Sequence, residues 1–248
     1  QPVSVRFRLV SAFVTTGAVV GYELGAHDPR VAIVIDPTLT WNFFVGSTAD
    51  ETATDIAVDT SGNVYVLGNT SHPWGTPLRA WSGKSDAFVV KLDSSGAQVW
   101  LTFLGGAEQD LGAGIVVDAA GAITVAGRSN ASWGTALHPH FGNGGADVFI
   151  ARLQPNGALT WNTFFGGSGP DDAVDLALDG VGNLIAVGQT NMTWSIPSTT
   201  TFSGGNDVFV TRLGPDDGAV IWNTYLGNSG YDWAGGVQIV GSAVYVGG

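Results

Sequence analysis

The residues able to do chemistry recur in register. Glu51, Asp110, Asp171 and Asp232 each stand ten residues after a Trp. Carboxylates converging on one axis would hold a hard cation, with Ca²⁺ as the candidate ion. The competing reading is that each acid caps its own turn through side-chain hydrogen bonds, which needs no metal. Trp74, Trp133 and Trp194 also keep one position in the repeat. Exposed beside carboxylates and amides, these indoles would stack on sugar rings as a ligand-binding face. Folded back, each would seal its own loop and bury roughly 150–250 Å². Asp59, Asp118 and Asp179 precede Gly turns, where local hydrogen bonding accounts for them without a ligand.

Catalysis finds little to work with. His27, His72, His138 and His140 do not recur in register, and only the pair in His138-Pro-His140 is closely spaced, a weak metal signal. There is no Gly-x-Ser-x-Gly elbow, no His-Glu-x-x-His and no Gly-Lys phosphate loop. Cys is absent, which removes disulfides, thiolate metal sites and Cys nucleophiles. Asn69-Thr-Ser, Asn130-Ala-Ser and Asn191-Met-Thr match glycosylation acceptors, a pattern short enough to arise by chance.

The elements that position these residues are short strands. The chain has 248 residues, 44% hydrophobic and 12% charged, which excludes a disordered polymer. Its 37 Gly and 10 Pro fit many strands joined by tight turns. A net charge of -12 would repel a phosphate backbone, so nucleic acid is not an expected partner. No apolar run approaches the roughly 20 residues of a membrane helix. The chain starts at Gln1 without a basic, then apolar, leader, as expected of a processed or excised segment.

Trp41, Trp100, Trp161 and Trp222 lie 59, 61 and 61 residues apart, marking a tandem array. Three blocks recur in order around them: DIAVDTSGNVYVLG, DAFVVKLDSSGAQVW and WLTFLGG with their counterparts. Each unit holds four strand-length runs, in the first unit A at 56–59, B at 64–68, C at 87–92 and D at 98–104. Short Gly-containing turns join A to B and C to D, so the strands are antiparallel neighbours. Four such strands per unit of about 60 residues describe a propeller blade. The D-strand Trp residues are expected to pack within the fold. The long B–C loops and the D–A loops with the acids emerge together on one face, where function is expected.

These blocks resemble the bacterial SBBP repeats, with a looser similarity to NHL propeller repeats, over about residues 39–248. The resemblance implies an all-β propeller fold in a secreted or surface setting, and no particular reaction. Residues 1–36 lack the signature and read as an irregular β segment of three strands, the tail of a preceding domain or an atypical first blade. Residues 37–248 form the repeat array, ending in a half blade at 237–247. A D-like strand at 39–45 with a C strand at 31–36 would complete that half blade and close four blades. Otherwise the chain is an incomplete segment of a larger propeller, or a subunit whose open edge pairs with another copy. The functional expectation is a non-catalytic extracellular or cell-surface module, structural or adhesive, within a larger assembly or filament. Its partners would be further copies, surface proteins or glycans. The alternatives are a lectin using the Trp face and a propeller hydrolase or lyase.

Overall fold

The computed structural model describes residues 5–8, 21–24, 41–142, 145–194 and 196–248. The chain divides into two compact units, Gln1–Thr40 and Trp41–Gly248. In the first, β1 (Val5–Arg8) and β2 (Gly21–Leu24) form an antiparallel hairpin with Val5 opposite Leu24. The strand expected at 31–36 and His27 lie outside the described residues.

The second unit carries three four-stranded antiparallel blades. Blade one is β3 (Glu51–Val58), β4 (Val64–Thr70), β5 (Asp86–Leu92) and β6 (Gln98–Leu104). Blade two is β7 (Asp110–Val117), β8 (Ile123–Ser129), β9 (Asp147–Leu153) and β10 (Leu159–Phe165). Blade three is β11 (Asp171–Leu178), β12 (Leu184–Thr190), β13 (Asp207–Leu213) and β14 (Val220–Leu226). A final hairpin joins β15 (Gly236–Val240) to β16 (Ala243–Gly247). The fold is all-β, with the blade arrangement of a β-propeller.

Strand A is longer than the apolar run at 56–59 indicates. A bulge between Ala53 and Asp55, repeated at Gly112/Gly114 and Ala173/Asp175, lets the polar half of the strand pair with strand B. The A–B and C–D turns are as short as their sequences imply, with Gly62, Gly96, Gly121, Gly157, Gly182 and Gly218 all at positive φ.

The core lies between blades, because strand C is buried on both faces and its alternating side chains serve two neighbours. In β9, Phe149, Ala151 and Leu153 pack toward blade one, while Val148 and Ile150 pack toward blade three. Strand A of each blade packs on the next in the order β3, β7, β11, β15. Two Asp side chains fasten this inner stack: Asp55 accepts the Ile115 N–H and Asp175 the Val237 N–H, each at 2.8 Å.

Residues 41–45 depart from the expected D-like strand. Trp41, Phe43 and Val45 pack alternately on blade one, but these residues join no sheet. Among the described residues nothing pairs with the outer edge of β16; the strand at 31–36, which the four-blade closure would set beside that hairpin, lies outside them.

Candidate functional site

The face with the long loops is held together by its own residues. Each B–C loop runs back along the outer edge of strand D. The Leu78 N–H donates to Leu101 O at 2.8 Å and the Phe103 N–H to Arg79 O at 3.1 Å; Leu137 with Asn162 and Phe164 with His138 repeat the pattern. In blade three the Thr199 N–H donates to Asn223 O, and the Tyr225 N–H to Thr200 Oγ1 at 2.7 Å. An outer strand would otherwise present unpaired N–H and C=O groups to any passing strand.

The loop Trp residues fold inward, which corrects the expectation of an exposed sugar platform. Trp133 and Trp194 are buried and Trp74 is half-buried. Each meets the same strand-C Phe, with centroids 5.4 Å apart for Trp74–Phe88, 5.4 Å for Trp133–Phe149 and 4.5 Å for Trp194–Phe209. The Arg79 guanidinium reaches over Trp133 at 5.2 Å, tying blade one to blade two.

The D-strand indoles lock blade to blade. Trp100 Nε1 donates to Pro155 O at 3.1 Å and Trp161 Nε1 to Pro215 O at 3.2 Å, each acceptor lying in the C–D turn of the next blade. Their rings cover Gly157 and Gly218, as Trp41 covers Gly96.

The four acids do not converge. Glu51, Asp110 and Asp171 open strand A instead of lying in a loop, one per blade, and among the described residues no three His, Cys, Asp or Glu side chains group to hold a metal. Asp110 Oδ2 accepts the Gly106 N–H at 2.7 Å, Asp171 Oδ2 that of Gly167 at 2.9 Å and Asp232 Oδ2 that of Asn228 at 2.9 Å. These bonds close the D–A turns. Glu51 accepts Ser47 Oγ at 2.6 Å and Thr70 Oγ1 at 3.2 Å. The second oxygen of Asp110 takes the Ser129 hydroxyl and that of Asp171 the Trp194 indole N–H. Burial pushes Asp110 and Asp171 up to about 6.

Sequence reasoning passed over the Asp that opens strand C. Asp86, Asp147 and Asp207 are each at most 1% exposed. Their Oδ2 atoms accept the N–H of Ser82, Phe141 and Ser203, while their Oδ1 atoms have no hydrogen-bond partner. The signal was present: this Asp heads the recurring block D-[AV]-F-[VI]. Burial raises Asp86 and Asp147 above the ordinary carboxylate range.

On the opposite face, the Asp residues before Gly turns act locally, as their positions imply. Asp59 accepts the N–H groups of Ser61 and Asn63 at 2.9 Å. In blades two and three, Asp118 and Asp179 additionally pair with Arg152 and Arg212 of strand C, partners that no local spacing reveals. Of the glycosylation-like Asn residues, Asn69 spends its amide on the neighbouring blade, donating to Gly112 O at 3.3 Å and accepting the Gly112 N–H at 2.8 Å.

Ser132, His140 and Asp147 come together without forming a catalytic relay. His140 Nδ1 accepts the Gly142 N–H at 2.9 Å, and Nε2 lies 3.1 Å from Gly145 O and 3.8 Å from Asp147 Oδ1. Ser132 Oγ accepts the backbone N–H of His140 instead of facing the imidazole. A nucleophile needs a base at its hydroxyl, and this arrangement supplies none.

Comparison with known proteins agrees with the blades. The family model described as "Beta-propeller repeat" (SBBP) matches residues 44–73, which span strands A and B of blade one. The chain is also 26% identical over 200 residues, 75% of its length, to the "Regulatory protein FlaEY" of Caulobacter vibrioides, of which it spans 21%. The sequence blocks of the matched segment recur in order in blades two and three, so the match supports a chain of SBBP-type repeats, built as β-propeller blades.

Proposed function

We propose that this chain is a non-catalytic scaffold, an extracellular or cell-surface propeller module that presents an acidic, rigid surface to protein partners. The observation that carries the reading is internal use of the chemistry-bearing groups. Trp133 and Trp194 are buried, Asp110 and Asp171 bond their own turns, and His140 holds backbone groups. A glycan face built on exposed indoles loses its support from this burial, and a hydrolase loses its nucleophile–base contact. The name of the Caulobacter vibrioides relative is that of a regulator, which fits a role exerted through binding.

Two measurements test the reading. Brief protease treatment of intact cells carrying the natural full-length protein should release fragments of the repeat region; full protection until lysis would refute surface display. The purified chain should leave ester, glycoside and peptide substrates unchanged. Turnover proportional to protein and lost in Asp147→Asn would refute the non-catalytic assignment.

A further inference from the structure

One D-strand indole stands apart from the pattern of the others. Trp100 Nε1 donates to Pro155 O at 3.1 Å and Trp161 Nε1 to Pro215 O at 3.2 Å, each across a blade junction. With Trp41 over Gly96, Trp100 over Gly157 and Trp161 over Gly218, every described C–D turn lies under the indole of the repeat before it. Trp222 is fourth in that series and meets no turn among the described residues. It lines instead a cavity of about 430 Å³ between blade three and the final hairpin, together with Arg212, Ile239 and Val244.

The hairpin beside that cavity is open at the matching place. In each blade strand B pairs along its outer side with strand C, whereas the outer edge of β16 is unpaired among the described residues. Val237 donates to Asp175 as Ile115 does to Asp55, which sets the register and puts Tyr245 where the blades carry Tyr65, Thr124 and Ile185. Those three are at most 1% exposed, and Tyr245 is 59% exposed. In blade one the cover comes from strands C and D: Lys91 Nζ lies 5.1 Å over the Tyr65 ring, and Trp100 is 6.0 Å from it. Leu226 is likewise exposed where Leu104 and Phe165 are buried.

We propose that this face docks the C–D hairpin of a further SBBP-type blade. Its strand C pairs with the outer edge of β16, a Lys or Arg late in that strand covers Tyr245, and its turn enters the cavity with a backbone carbonyl toward Trp222 Nε1. The chemistry recognised is main-chain pairing by an apolar strand, followed by an x-Pro-x-Gly turn whose Gly leaves room for the indole. An intact blade of a second copy does not supply it: β5–β6, β9–β10 and β13–β14 are each paired within their own sheets, and their turns are already covered. The partner brings a hairpin of its own.

The test appends to Gly248 a second copy of residues 128–165, the B–C loop, strand C, Pro turn and strand D of blade two, because Gly248 holds the position of Gly127. The control carries a Gly/Ser segment of equal length. Tm should exceed that of the control by about 5–10 °C, the shift of a hundredfold gain in the folding equilibrium for a domain of this size. Nitration of Tyr245 by tetranitromethane, read by mass spectrometry, should slow. Trp222→Phe, and separately valine in place of the turn glycine of the added segment, should shrink the Tm gain. If the extended chain does not fold, a cyclised peptide of residues 152–160 at millimolar concentration decides: it should shift the one indole N–H resonance of the 248-residue chain that Trp222→Phe removes. No Tm gain over the control, a gain untouched by both variants, or an unmoved indole resonance overturns the proposal. Shielding of Tyr245 in the unextended chain overturns it as well, by showing the chain's own residues at the site in a monomer, or a second copy there in a dimer.

Discussion

Gly157→Ala isolates the contact that locks one blade to the next. Gly157 sits at φ +84°, and a Cβ there would stand 2.7 Å from Leu78 Cδ1 and 2.9 Å from Trp100 Cδ2. The left-handed backbone alone costs an alanine about 1–2 kcal/mol. Forcing a methyl group into the indole adds about 1–3 kcal/mol of overpacking. Gly182 supplies the control. It has nearly the same backbone, at φ +88°, but no heavy atom within 4 Å of the added Cβ, so Gly182→Ala carries only the backbone cost. The two variants should therefore differ by about 1–3 kcal/mol in urea unfolding followed by circular dichroism. Trp100→Ala should itself cost about 3–5 kcal/mol. In that background the extra penalty of Gly157→Ala should fall to the backbone cost plus whatever Leu78 still opposes, and the part lost is the coupling to the indole that a double-mutant cycle measures directly. Equal destabilisation by Gly157→Ala and Gly182→Ala would show that the indole does not hold the turn.

Two further outcomes follow from the buried polar groups. Trp194→Phe removes an indole N–H that donates to the Asp171 carboxylate at 2.9 Å, about 1.5–3 kcal/mol for a hydrogen bond to a charged group, whereas Trp133 Nε1 has no partner, so Trp133→Phe should cost less; equal losses in urea melts would contradict this. Burial raises Asp110 and Asp171 to about 6, so the folded chain binds their protons more tightly than the unfolded chain does, and stability from these groups falls as pH rises through 6 and is complete below about 4. The opposing groups act lower: the Asn63 amide holds Asp59, and the Ser95 hydroxyl holds Asp93, below the usual carboxylate range. Tm at pH 5 should therefore exceed Tm at pH 7, and a flat or rising profile from pH 5 to 7 would show that Asp110 and Asp171 are not desolvated.

What the sequence reveals is what the repeat repeats locally. The spacing of Trp41, Trp100, Trp161 and Trp222 marks the blade, and the Gly positions mark turns whose positive φ is a one-residue property. Strand D was legible to the residue at 98–104, because its apolar run and its pairing coincide. Strand A was not, since the half that carries Glu51, Thr52 and Asp55 is polar and pairs by way of a bulge, which has no periodic signature. The loop Trp residues show the same boundary from another side. Their register was plain, but burial depends on Phe88, Phe149 and Phe209 in a different strand, and spacing within the loop says nothing of that.

The long B–C loop then has a physical explanation that does not begin with a ligand. A four-stranded blade leaves strand D with one bare edge, and a chain of such blades multiplies the hazard. A loop of minimal length would connect strands B and C and leave that edge open. The longer loop folds back to bond Leu101, Asn162 and Asn223, and its Trp fills the space over the strand-C Phe. Length and aromatic content are thus set by edge protection and packing, and what varies from blade to blade is free to serve recognition. The position occupied by Arg79, His138 and Thr200 is one such variable: it lies in the part of the loop bonded to strand D, and where Arg79 and His138 accept the strand-D N–H with the backbone oxygen, Thr200 accepts it with its hydroxyl. Specificity in this array should be sought at such substitutions and in the surface charge they set, since the conserved geometry beneath them is already committed to holding the blades together.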